Sequence, residues 1–190
     1  VRKLTSMAQA STQLTTGEVR LSFVHVFEPY ARQDSTDTPA YSTVIMVPKD
    51  DEKTIGKIRA AQKAALEKGK DSKFNGRIPK SWTDTFRDGD DSDRPEYEGH
   101  WYMTVKSQQS RPPLVVDRNK EEILDQRELY SGVYAQVAID AFPFNSNGNK
   151  GVSFQLLAVR KLRDGEPLGG GAPVKVDDVF DDLDEDEALI

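Results

Sequence analysis

The chain has no cysteine among its 190 residues. That absence removes a disulfide framework, a thiolate metal site and a cysteine nucleophile together. Histidine is nearly as scarce. His25 and His100 lie far apart in sequence, each inside a strand pattern, and a lone strand histidine is more often a partly buried or surface group than a ligand. No stretch approaches the ~18 apolar residues a membrane helix needs, and Val1 to Gly17 lacks the apolar run of a signal peptide. The HExxH, GxSxG and Walker A patterns are missing, so zinc-hydrolase, serine-hydrolase and phosphate-loop chemistries find no support. The expectation is a soluble intracellular protein that is not an enzyme and needs neither cofactor nor metal.

Charge is plentiful, at 31% of residues, and unevenly placed. The formal net charge of −6 comes from the far end, where Asp177 to Ile190 (DDVFDDLDEDEALI) holds eight acids and no base. Residues 1–176 carry 26 Lys+Arg against 24 Asp+Glu and are faintly basic. Segregation of this kind marks an interaction tail. A mean hydropathy of −0.65 fits a chain with a sizeable share outside its core.

The organisation follows from pattern and punctuation. Residues 1–16 are polar and read as a flexible lead-in. From Gly17, alternation of Val19, Leu21 and Phe23 opens a strand that stops at Pro29, and Tyr41 to Val47 is a second β-rich run. Asp50 to Lys68 reads as a helix with Asp50 as its N-cap, Ile55, Ile58, Ala61, Ala65 and Leu66 as its apolar stripe, and Gly69 as its stop. Lys70 to Glu98 is long and polar, the length of a functional or mobile loop. Strands resume at His100 to Lys106, where Trp101, Met103 and Val105 share one face and Tyr102, Thr104 and Lys106 the other. Leu114 to Val116 is a short extended piece, and Asn119 to Gln126 suggests a small helix. Gly132 to Phe144 and Val152 to Leu162, joined through Asn145 to Gly151, give the strongest hairpin signal. Residues 165–173 (GEPLGGGAP) form a linker, and 174–190 the acidic tail. Residues 17–164 therefore form one mainly β domain with helical insertions, an antiparallel barrel of the OB type.

Single-stranded nucleic acid is the partner this inventory suits. Binding without sequence reading needs aromatic platforms for bases and cations along the backbone path. Both occur at outward-reading positions: Tyr102 and Lys106 on one strand face, Tyr134 on the next long strand, Lys73, Arg77, Lys80, Trp82, Phe86 and Arg87 in the long loop, and Arg111 and Arg118 around the following turn. Each has a plainer reading. Trp82 and Phe86, four apart, also suit the packing face of a short helix, Tyr102 and Tyr134 could cover a barrel end, and Phe142 and Phe144 read as hairpin packing. The helix lysines read as a solvated face. Asp88, Asp90 and Asp91 could serve a metal-dependent nuclease or resolvase, although the loop fails the calcium pattern, with Asp93 and Gly99 at the positions that need Gly and Glu. In the tail, Phe180, Leu183, Leu189 and Ile190 punctuate the acids. A polyanion with apolar anchors can occupy its own body's cationic groove and, once displaced, be offered to partner proteins. A protein-interaction module acting through this tail alone is the remaining alternative.

The segments GHWYMTVKSQQSRPPLVVD and YSGVYAQVAIDAFPFNSNGNKGVSFQLLAVRKLRDGEPLGG resemble a phage-encoded family of single-stranded DNA-binding proteins. The SRPPLVVD, YSGVYAQV and FPFNSNGNKGVSF stretches carry most of the likeness, which extends more weakly through YSTVIMVPKDD and covers most of Gly17 to Gly171. The resemblance implies an OB-fold core and high-affinity or cooperative protection of single strands during phage replication or recombination, in the host cytoplasm. Replication-type single-strand binders often end in an aromatic residue, whereas this sequence ends Leu189-Ile190.

Overall fold

Nine strands, one α-helix and three short 3-10 turns succeed one another along residues 11–168, the part of the chain that the computed structural model describes. The strands are β1 (Gln13–Thr15), β2 (Val19–Tyr30), β3 (Ala40–Pro48), β4 (Thr83–Asp84), β5 (Arg87–Asp88), β6 (His100–Ser107), β7 (Leu114–Val116), β8 (Tyr134–Ser146) and β9 (Asn149–Arg163). The helix α1 (Glu52–Gly69) lies between β3 and β4.

Five of the strands close on themselves. β2 pairs antiparallel with β3, β3 with β6, β9 with β8, and β8 with β2, while β6 meets β9 in parallel at Lys106 and Gln155. A five-strand ring with one parallel joint is the OB-like arrangement expected from the sequence. β1, β4, β5 and β7 add to its margins. Alternation explains the core. Val133, Ala135, Val137 and Ile139 point inward with Ile45, Val47, Met103, Val105, Phe154 and Leu156, all essentially without solvent contact.

The helix packs Ile58, Ala61, Ala65 and Leu66 into that core, each of the larger side chains contributing about 1.5–3 kcal/mol of burial. Its N-cap is Asp51, one residue later than expected, and the Asp51 carboxylate accepts from the Thr54 amide at 3.1 Å. A cap of this kind stabilises a helix by about 1 kcal/mol.

Two other expectations change. Residues 13–15, read as part of a flexible lead-in, form β1 along β8, with Leu14 buried and Thr12 donating to Asp140 at 2.7 Å. One apolar residue in a polar run gives no periodicity, so the pairing was invisible. The helix expected over Asn119 to Gln126 is instead a turn back onto β7, bridged at Val116 and Glu122, followed by a 3-10 turn at Gln126–Glu128. The β8–β9 hairpin turns tightly at Asn147 and Gly148, both at positive φ, as a two-residue primed turn requires.

The long segment after α1 is pinned at two places. Asp84 accepts from Arg59 at 2.5 Å and from Gln62 at 2.7 Å, and Gln62 is buried. Lys49 bridges Asp88 at 2.7 Å and Asp90 at 2.5 Å. The Lys49 ammonium and the Asp90 amide hold the Asp88 carboxyl below its ordinary range. The Gly99 amide, with Lys49, does the same for Asp90.

Candidate nucleic-acid interface

On the outer side of the ring, β3 and β6 lie in register, so Ser42 stands beside Lys106, Val44 beside Thr104 and Met46 beside Tyr102. Met103 and Val105 face the core while Tyr102, Thr104 and Lys106 face away from it, because successive strand residues point to opposite faces. Over this face stand the loop between β2 and β3 on one side and the segment around Arg94 and Tyr97 on the other, enclosing a recess of about 570 Å³. A smaller recess lined by Thr85, Arg87 and Ser153, and another lined by Arg111, Phe142 and Gln155, adjoin it. Lys106 lines all three, so they make one groove across β6 toward the β8–β9 hairpin.

The groove is aromatic along its first part. The rings of His25 and Tyr30 stack with centroids 3.9 Å apart and planes within 5°. Phe23 is 43% exposed, and the Arg94 guanidinium lies 4.5 Å from its ring centre. Tyr102 packs on Tyr97 at 4.6 Å, and burial pushes the Tyr97 phenol up. Burial also lowers the His25 imidazole, favouring its neutral form. Cations frame the groove: Arg32, Arg87, Lys106 and Arg111 are exposed and make no ion pair among the described residues. Flat rings for bases beside cations for phosphates is the combination that holds a single strand irrespective of sequence.

The residues expected from sequence divide. Tyr102, Lys106 and Arg111 come together in the groove. Phe86 does not: its side chain is 2% exposed, packed in the core 5.4 Å from Trp101 with Arg59 over its ring. Phe86 packs inward as the plainer reading allowed, but from between β4 and β5 and not from a short helix. Trp82 itself is half-buried against the core. Tyr134 lies at the opposite end of the hairpin, opposite Arg163 in the pairing of β8 with β9. Its ring is already occupied, by Arg163 at 3.8 Å and Arg20 at 5.4 Å. Arg118 donates to the Leu162 carbonyl at 3.1 Å, away from the groove. Arg77 and Lys80 are exposed but line none of the three recesses. Phe180, Leu183, Leu189 and Ile190 lie outside the described residues, as does the acidic tail.

Sequence reasoning missed Phe23, His25, Tyr30, Arg32 and Arg94, and it read Phe142 as hairpin packing, whereas that ring is exposed and lines the groove. For Phe23 a signal existed. The inward positions shift parity along β2, from Val19 and Leu21 to Val24 and Val26, and a parity shift is a bulge. The structure has that irregularity between Ser22 and His25, with Phe23 turned outward at φ +49°.

Asp88 and Asp90, candidates for a two-metal site, are engaged with Lys49, and no cluster of three or more metal-binding side chains exists among the described residues. No helix among them is long and apolar enough to cross a membrane.

A family model described as Enterobacter phage Enc34, ssDNA-binding protein, matches residues 12–190. The chain is 33% identical over 180 residues to putative protein p50 of Acyrthosiphon pisum secondary endosymbiont phage 1, covering 90% of this chain and 95% of that one. Among solved structures, the single-stranded DNA-binding protein from bacteriophage Enc34 in complex with ssDNA superposes with a TM-score of 0.69 at 27% identity, over 83% of this chain and 90% of that one. The gp2.5 single-stranded DNA-binding protein encoded by bacteriophage T7 shares the fold, with a TM-score of 0.59 at 18% identity, over 93% and 97% of the two chains.

Proposed function

The chain belongs to the family of the Enterobacter phage Enc34 single-stranded DNA-binding protein, and from that membership we propose that it binds and protects single-stranded DNA without strong sequence preference during phage replication or recombination in the host cytoplasm. The observation that carries this reading is the groove over β3 and β6, where aromatic rings and cations without an ion pair among the described residues converge on Lys106. Bases stack on Phe23, Tyr102 and the His25–Tyr30 pair, at ~1–3 kcal/mol per stacked base. Phosphates lie against Arg32, Arg87, Lys106 and Arg111. Titration with oligo-dT, followed by quenching of Trp82 and Trp101, tests it. Binding should exceed that of duplex and weaken with salt, by about −0.7 in log–log slope for each phosphate neutralised. Absence of binding at low salt, or equal preference for duplex, overturns the reading.

The acidic tail regulates the same groove and recruits replication or recombination proteins through Phe180, Leu183, Leu189 and Ile190. Support comes from the route of the chain before it. Arg20 donates to the carbonyls of Gly132 and Glu166, and the Leu168 amide to Ser131 at 2.9 Å. Gly132 and Gly165 allow this approach, since a Cβ on either would meet backbone at about 2 Å. Leu168 then packs beside Val44, Met46, Tyr97 and Tyr102, at the groove wall. Deleting residues 174–190 should tighten DNA binding at low salt, with the difference shrinking as salt screens the tail. Unchanged or weaker affinity would remove the competitor role.

A further inference from the structure

Between Glu52 and Lys80 the sequence holds nine Lys+Arg and three Asp+Glu, a net of +6, while the whole of residues 1–176 nets only +2. Arg59 is turned onto Asp84, and Lys57 reaches the Thr15 carbonyl. Lys68, Lys70, Lys73, Arg77 and Lys80 are exposed and make no ion pair among the described residues. Gathering like charges costs self-repulsion, which a bound polyanion relieves.

A solvated helix face would account for lysines within α1, but these cations continue past its end along a fixed course. Gly69 packs on Pro143 of β8, and the Asn145 side chain donates to the Lys73 carbonyl at 3.0 Å. The Thr83 hydroxyl donates to Asn149 at 2.7 Å, and Thr83 pairs with Gly151 in β9. The segment therefore skirts the tip of the β8–β9 hairpin and arrives at Thr85 and Arg87, which line the groove. Positions 68, 70, 73, 77, 80 and 87 mark a basic track from the end of α1 to the recess at Lys106.

We propose that this track is a second phosphate-binding surface, on which a single DNA strand continues after it leaves the groove. The inference rests on the groove reading and adds length to it: the groove holds a short stretch, and the track engages only strands long enough to round the hairpin. The contact is to the sugar-phosphate backbone alone, since along this stretch Phe74 is buried, Trp82 is half-buried against the core and the exposed Ile78 has no ring for a base to stack on.

The test replaces Lys68, Lys70 and Lys73 together by Gln in the full chain, all at exposed positions. On oligo-dT of about 8 nucleotides, within the ~4–16 that one OB fold covers, affinity should stay within about two-fold of the unmodified chain. On oligo-dT of about 30 nucleotides it should fall, with the log–log salt slope shallower by about 2, three phosphates at ~0.7 each. Nucleotides bound per protein on poly-dT should also fall. An unchanged long-strand slope, or equal losses at both lengths, overturns the track. Lys106→Gln serves as the contrast, weakening both lengths. If the unmodified chain binds neither, it is the groove reading that fails; if it binds both and the triple variant matches it throughout, only the track fails.

Discussion

The guanidinium of Arg94 lies 4.5 Å from the ring centre of Phe23, a residue held at φ +49°. A side chain with a Cβ pays roughly 1–2 kcal/mol for that left-handed backbone, and the Phe23 amide is fastened to the Ser131 hydroxyl at 2.9 Å. Strain of this size at a groove wall is kept where the outward ring is needed. Phe23→Ala and Phe23→Gly should both weaken oligo-dT binding by about 1–3 kcal/mol. The Gly variant should be the more stable of the two in urea unfolding, because it relieves the backbone. Equal urea midpoints would show that position 23 carries no strain.

Phe86 and Tyr102 should separate stability from binding. Phe86→Ala empties a core site and should cost about 3–5 kcal/mol of folding stability, with little effect on DNA affinity for the molecules that remain folded. Tyr102→Ala removes a half-buried ring from the groove and should weaken DNA binding with the smaller loss of stability. Chemical denaturation and oligonucleotide titration of both variants check this, and the reverse pattern would place Phe86 at the interface.

Because burial holds His25 below its ordinary value of 6.5, the unfolded chain takes up this proton first as pH falls. Stability is therefore full above 6.5 and is lost as pH falls toward the lowered folded value. Between about pH 7.5 and pH 5, the unmodified chain should lose more stability than His25→Gln. Urea midpoints at the two pH values measure the difference, and parallel losses would assign the acid sensitivity elsewhere.

Incubation of labelled single-stranded DNA with magnesium or manganese should leave it intact. Asp88 and Asp90 already hold Lys49 at 2.7 and 2.5 Å, a use of carboxylates that competes with metal binding. Gel analysis decides it: cleavage abolished by Asp88→Asn or Asp90→Asn would restore a nuclease.

The ring of strands was legible because its two longest arms alternate in pattern and turn through Asn147-Gly148. The outward parity of Tyr102 and Lys106 was legible for the same reason. What stayed hidden depends on contacts distant in sequence. Phe86 reads like Tyr102 until Arg59 and Trp101 are seen around it. Tyr134 has the expected outward parity, and its register runs through Arg20 and Met46 to Tyr102, yet Arg20 and Arg163 cover its ring, which no spacing in the sequence announces. His25 and Tyr30 are separated by five positions of an irregular strand, and no period predicts their stacking.

The joint that closes the ring has one register pair, Lys106 with Gln155, whereas β8 and β9 share thirteen. The side chain at the centre of the groove thus belongs to the joint of the ring with the fewest register pairs. If the strand lies across Lys106 as proposed, it spans that joint, and filling the groove should stabilise the closed ring against opening.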